Sequence, residues 1–205
     1  MVRPRNDERI DIEHRAVEVA TRLLTERGAE QVSLRDIAEE AGCRPPALYR
    51  YFPNKDAILL AVHDEGFRRL YAHKAEAVAA AGSDAFERLR MGGLAYVRFG
   101  LQNPNLYELM FMERGPFNRM TELPDRDDVA GRALQLLTDS IVGCQKAGYL
   151  EGVDPLAAAF TFWSVVHGAV SLALRRRSPF RSIDPEQAVA QAVEITMRMV
   201  AATSR

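Results

Sequence analysis

The chain has 205 residues, 47% of them hydrophobic and 27% charged, with a net charge of −1. That composition excludes a disordered tail, and the balanced charge excludes a global attraction to nucleic acid or acidic lipid, so any anion-binding surface must be local. Two cysteines, Cys43 and Cys144, are too few for a disulfide framework and fit a reducing cytoplasm. The N-terminal MVRPRNDERI holds no apolar signal core, so the expectation is a cytoplasmic chain without a membrane-spanning run of about 18 residues.

Apolar residues recur at helical spacing almost throughout, which predicts an all-α fold of about nine helices. A first helix carries Ile12, Ala16, Val19, Ala20, Leu23 and Leu24 on one face and stops at Gly28. Ser33 reads as an N-cap with Asp36 as its capping-box partner, and the short helix it opens buries Leu34, Ile37, Ala38 and Ala41 before Gly42 ends it. A third helix spans roughly Pro45 to Phe52, with Leu48 and Phe52 inward and Pro53 as the stop. These three cover about 50 residues, too few for a generous core, so they lean on the start of the next helix.

Asn54 caps that fourth helix, which runs to about Ala81 through Ile58, Val62, Phe67, Leu70 and Val78. Gly82-Ser83-Asp84 breaks and recaps the chain for a fifth helix with Phe86, Leu89, Tyr96, Val97 and Leu101. Asn103-Pro104 restarts a short sixth with Leu106, Leu109 and Met110. Gly115 to Asp128 is the best loop candidate, and Asp127 or Asp128 opens a seventh helix that Gly148 ends. Asp154-Pro155 and Asp184-Pro185 are matching starts for the last two helices, with Gln187 completing a capping box and Ile183 stapling onto Ala188.

A helix, a glycine-containing turn and a second short helix form the arrangement whose second helix enters the DNA major groove by its N-terminal end. The stretch GCRPPALYRYFPNK, Gly42 to Lys55, contains no acidic residue. Arg44, Arg50 and Lys55 can neutralise phosphates or reach guanine edges, and Tyr49 and Tyr51 can donate to phosphate while packing on sugar or a thymine methyl. Pro45, Pro46 and Ala47 give small, rigid surface for close approach to bases. The competing reading is that these aromatics and prolines only close a hydrophobic core.

The run SLRDIAEEAGCRPPALYRYFPNKDAILLAV, Ser33 to Val62, resembles the DNA-binding signature of the TetR family of transcriptional regulators. Ile37-Ala38, Ala41-Gly42, Leu48-Tyr49, Phe52 and Lys55 carry the resemblance. It implies that Arg35 contacts backbone phosphate. Ser33 either shares that phosphate or serves only as the cap. Arg44 stands where the family often has Ser or Thr, which makes it a candidate base reader. Arg3 and Arg5 form either a minor-groove arm or a disordered end. Cys43 beside Arg44 is either a redox-sensitive thiol or a small buried residue.

The resemblance further implies a homodimer on double-stranded DNA, with residues 1–55 as the DNA-binding domain and 56–205 as a ligand-binding and dimerisation domain. NPNLYELMF (Asn103–Phe111) and WSVVHGAVSLAL (Trp163–Leu174) look like the regulatory domain of the TetR subgroup with a His-Gly motif in its eighth helix. The residues agree in kind. Tyr96, Phe99, Tyr107, Met110, Phe111 and Met112 form an aromatic and methionine cluster, and Trp163 and His167 share a helix face, which together would bind a small, largely apolar effector. Each of these side chains has core packing as its alternative, His167 included.

Dimerisation would use the last two helices, through Ala169, Val170, Ala173, Ala188, Ala192, Met199 and Val200, while Arg175 to Arg177 make a solvated helix end. No Glu-x-x-His pair, H-E-x-x-H, G-x-S-x-G or phosphate-binding glycine loop occurs, so no metal, cofactor or enzymatic activity is expected. The reading is a one-component regulator, a repressor by family habit, released from a pseudo-palindromic operator by its effector. The rival is a ligand-binding or catalytic bundle whose helix-turn-helix head makes protein contacts.

Overall fold

A computed structural model of the chain describes residues 6–111, 129–175 and 184–204. Among the described residues the regular structure is entirely helical: α1 (Asn6–Arg27), α2 (Leu34–Glu40), α3 (Pro45–Leu48), α4 (Lys55–Ala80), α5 (Ala85–Gln102), α6 (Pro104–Met110), α7 (Val129–Lys146), α8 (Pro155–Leu174) and α9 (Pro185–Ala201), with one 3-10 turn at Ala29–Gln31. They group into two compact units. The first holds α1 to α3, α4 as far as Phe67, and α6; the second holds α4 from Arg68, α5, and α7 to α9.

In the first unit, α1 buries Ala16, Ala20, Leu23 and Leu24, and the chain leaves it through Gly28 at φ 83°. Ser33 and Asp36 close the expected capping box: the Asp36 N–H donates to Ser33 Oγ at 3.3 Å and the Ser33 N–H to Asp36 Oδ2 at 2.8 Å. Two orphan amides of α2 are thereby satisfied locally. Leu34, Ile37, Ala38 and Ala41 are all buried, as their spacing required.

Helix α3 is shorter than its sequence expectation. The amides of both Tyr51 and Phe52 converge on the Leu48 carbonyl at 2.9 Å, closing a turn in place of another helical step, and Pro53 follows without an N–H to offer. Leu48 and Phe52 are nonetheless buried. Asn54 Oδ1 then accepts from the Ala57 N–H at 2.9 Å and caps α4.

Helix α6 packs on α1, where Asn105 donates to the Thr25 carbonyl, and on the first part of α4. There Gly66 makes the approach possible: a Cβ at this position would lie 2.7 Å from both Cγ and Sδ of Met110.

The second unit is built around α5, which meets α7, α8 and α9 and buries Leu89, Ala95, Tyr96, Val97 and Phe99. Asp84 recaps the chain as expected, accepting from the Glu87 N–H at 3.0 Å. Arg90 ties α5 to α9 by pairing with Glu87 and Glu194, which raises its pKa, through the Glu87 hydrogen bonds first. Asp154 and Asp184 cap α8 and α9 through the amides of Ala157 and Gln187. The reciprocal half of the second box is absent, because the exposed Gln187 side chain returns no bond. Ile183, Asp127, Asp128 and the expected loop from Gly115 lie outside the described residues.

Two expectations are corrected on α8 and α9. Helix α8 is, by length and composition, long and apolar enough to cross a membrane, with a mean hydropathy of 1.6. Its Ala158, Ala159, Val166 and Val170 are buried within the helical unit. Val170 and Val200, assigned by spacing to a seam between chains, face their own core. The apolar side chains left outward are Leu156, Phe160 and Leu172 on α8 and Ile195 and Met199 on α9.

Candidate functional site

The head presents its cations in two groups. Arg22 of α1 is paired with Glu26 and, closely, with Glu40 of α2, and Arg27 also reaches Glu40. These pairs tie α1 to α2. Arg35, Arg44, Arg50 and Lys55 form no ion pair among the described residues. Arg35, Arg44, Pro46, Tyr49 and Arg50 are exposed, while Pro45, Ala47, Tyr51 and Lys55 are half-buried. Four unneutralised cations on a capped helix-turn-helix make a local positive surface on a chain with no net basicity.

Ser33, Asp36, Tyr49, Asn54 and Lys55 line one open groove of about 420 Å³. The structure thus brings the start of α2 beside the end of the Gly42–Lys55 stretch. Within that groove the Ser33 hydroxyl donates to Asp36 Oδ2 at 2.6 Å, so its hydrogen is committed to the cap. The same bonds from Ser33 hold the Asp36 carboxyl below its ordinary range. Cys43 is half-buried, and burial pushes its thiol pKa up, with Arg15 only partly opposing. That direction favours the thiol over a reactive thiolate. Arg3 and Arg5 lie outside the described residues.

The expected effector residues divide between the two units. In the first, Tyr107, Met110 and Phe111 cluster on α6, with the Tyr107 and Phe111 rings 4.8 Å apart and Phe111 set edge-on to Phe67 at 5.5 Å. In the second, Tyr96, Trp163 and His167 come together. Trp163 Nε1 donates to Tyr96 Oη at 3.3 Å, and Tyr96 Oη lies 3.2 Å from His167 Nδ1. The Trp163 and His167 rings are 5.3 Å apart. Burial, and secondarily Arg175, lowers the His167 pKa, which favours the neutral ring. Phe99 lies near the His73 ring at 6.5 Å. Met112 is outside the described residues.

A small cavity of about 30 Å³ opens in the second unit, lined among others by Lys74, Gly92, Tyr96, Ser140, Trp163 and Val166. Lys74 was not expected from the sequence. It is buried at 6% exposure and donates to the Ala133 carbonyl at 2.9 Å. Burial pushes its pKa down to about 8. The signal was present: Leu70, Lys74 and Val78 share one inward register of α4.

Comparison with known proteins agrees with this layout. Residues 16–62 match the family profile described as bacterial regulatory proteins of the tetR family, and residues 89–196 match a tetracyclin repressor-like C-terminal domain. A solved structure of a protein of unknown function from Rhodococcus sp. RHA1 aligns with a TM-score of 0.74 at 26% identity, covering 93% of this chain and 95% of its own. A TetR/AcrR-family regulator from Thermobifida fusca YX-ER1 aligns at 0.61 and 27% identity, covering 94% and 97%. A tetR-family regulatory protein from Rhodococcus RHA1 aligns at 0.63 and 25% identity, covering 92% and 96%.

Proposed function

Because the chain belongs to the TetR family of bacterial transcriptional regulators, and so is a DNA-binding regulator rather than an enzyme, we propose that it is a cytoplasmic repressor. In this reading it acts as a homodimer on a pseudo-palindromic operator and lets go when a small, largely apolar effector fills the second unit. Residues 1–55 read DNA and 56–205 bind effector and partner. The observation that carries the reading is the set of unpaired cations Arg35, Arg44, Arg50 and Lys55 on a capped helix-turn-helix.

Within the head, Lys55, Arg35, Arg50 and the Tyr49 and Tyr51 hydroxyls hold phosphate, and Ser33 acts as the cap. Pro45, Pro46 and Ala47 allow close approach, and Arg44 reads a base. The outward apolar side chains of α8 and α9, with Phe160 65% and Met199 66% exposed, suit a helix-on-helix seam with a second copy. Tyr96, Trp163 and His167 are the effector-facing group in the second unit, together with Phe99. Tyr107, Met110 and Phe111, also expected from the sequence to face the effector, cluster among themselves within the first unit. The His167-Gly168 pair supports a place in the His-Gly subgroup as part of this proposal.

The test is binding to duplexes selected from a randomised pool, measured by fluorescence anisotropy over a salt series. Lys55→Ala and Tyr49→Phe should weaken binding to all sequences, and the Lys55 change should lower the salt slope by about one ion. Arg44→Ala should relax preference at one base position by about 1–3 kcal/mol. Absence of any salt-dependent duplex binding would overturn the proposal.

A further inference from the structure

A lysine ammonium buried in an apolar helical unit needs a counter-charge or it destabilises the fold. Lys74 has only the Ala133 carbonyl, and no carboxylate pairs with it among the described residues. A neutral carbonyl satisfies one of its three N–H donors and leaves the charge uncompensated. Lys74 also lines a cavity. The adjoining cavity of about 30 Å³ exceeds the roughly 10–15 Å³ that one water needs. Its walls are mostly apolar, from Val78, Leu89, Leu136, Leu137, Phe162 and Val166, and the polar-tipped Tyr96, Ser140 and Trp163 also line it.

The geometry points to Lys74 as the anchor for the carboxylate of an effector whose body is apolar. This rests on the effector reading above and narrows it from an apolar molecule to a monocarboxylic acid. One buried cation among apolar walls matches one negative charge, whereas a dianionic phosphate would bring a second charge with nothing to meet it. The cavity of about 30 Å³ suits a carboxylate head. The body must be accommodated by displacing apolar side chains, as a flexible hydrocarbon tail can do.

The pairing has a protonic signature. An anion beside Lys74 raises its proton affinity, so binding takes up a proton wherever the empty site is deprotonated. Affinity for the carboxylate is then level from about pH 6, where the acid is ionised, to about pH 8 and falls above it. From the elements packed around the ammonium, α5 contributes Tyr96 and α7 the uncharged Ser140 and Ala133 carbonyl. The α8 lining residues, Phe162, Trp163 and Val166, do not ionise, and His73 adjoins on α4 itself.

Three eight-carbon probes separate head from tail: octanoate, octan-1-ol and octylammonium. The emission of Trp163, the only tryptophan, reports filling of the cavity it lines. Octanoate should bind at least about tenfold more tightly than octan-1-ol, the worth of a charge-assisted hydrogen bond, and octylammonium least. Lys74→Met and Lys74→Gln should both abolish the octanoate preference and its decline above pH 8. Equal binding of octanoate and octan-1-ol to the wild type, or a preference that survives both substitutions, would overturn the inference. The same samples are titrated with a pool-selected duplex. Duplex binding without a head-group preference overturns only this inference, while absent duplex binding overturns the regulator proposal.

Discussion

Replacing Lys74 with methionine should make the protein more stable at neutral pH, and the gain should vanish as the pH rises. In the folded chain, burial lowers the Lys74 pKa from 10.5 to about 8. That gap is worth about 3 kcal/mol, at roughly 1.36 kcal/mol per pH unit. The sign follows from proton counting. Below pH 8 both folded and unfolded chains carry the proton, and the folded state bears the whole cost of burying it. Between pH 8 and 10.5 the folded state releases the proton while the unfolded state keeps it, so stability rises with pH.

Methionine keeps the length and removes the charge, at the loss of the bond to the Ala133 carbonyl, about 1 kcal/mol. The expected net gain at pH 7 is about 2 kcal/mol, or about 4–8 °C in Tm for a chain of this size. Urea titrations followed by circular dichroism at fixed protein concentration, at pH 7, 8, 9 and 10, should show the gap closing. The Cys144 thiol, pushed up to about 11 by burial, acts with the opposite sign above pH 9 but is common to both proteins and cancels. A variant less stable than wild type at pH 7, or a gap unchanged across the series, would refute the reasoning.

Phe160→Glu on the outward face of α8 should raise the dimer dissociation constant by at least about 100-fold in sedimentation, since burying one phenylalanine is worth about 1.5–3 kcal/mol and each seam would hold two. Gly66→Ala should cost about 1 kcal/mol, because overpacking against Met110 outweighs the roughly 1 kcal/mol gained in helix propensity. In a Met110→Ala background the same change should stabilise instead, and an additive double-mutant cycle would show that the two side chains do not meet.

What the sequence made legible was local chemistry. The Ser33–Asp36 box, the Asn54, Asp84, Asp154 and Asp184 caps, and the inward registers of α1 and α2 each depend on residues within one helical turn. The length of α3 was not readable, because it turns on how the Leu48 carbonyl is shared. Tyr96 and Tyr107 looked like one cluster from their spacing, yet they belong to different compact units, a distinction that long-range packing makes. Lys74 was passed over because lysine is a surface residue by habit, although its register was inward. The outward face of α8 was misread in the other direction: small residues suggested the seam, whereas Leu156, Phe160 and Leu172 are the ones left uncovered.

The adjacent glycines of α5 bear on how so small a cavity can be enlarged. A Cβ at Gly92 would touch Val78 of α4 at 3.3 Å, and one at Gly93 would touch Val193 of α9 at 3.1 Å. Two glycines inside a helix forgo about 1 kcal/mol each, and in exchange α5 presents bare backbone to both neighbours. Both glycines line the 30 Å³ space, so its wall there is helix backbone with no side chain to displace, and any widening must come from the side chains opposite it, such as Val78.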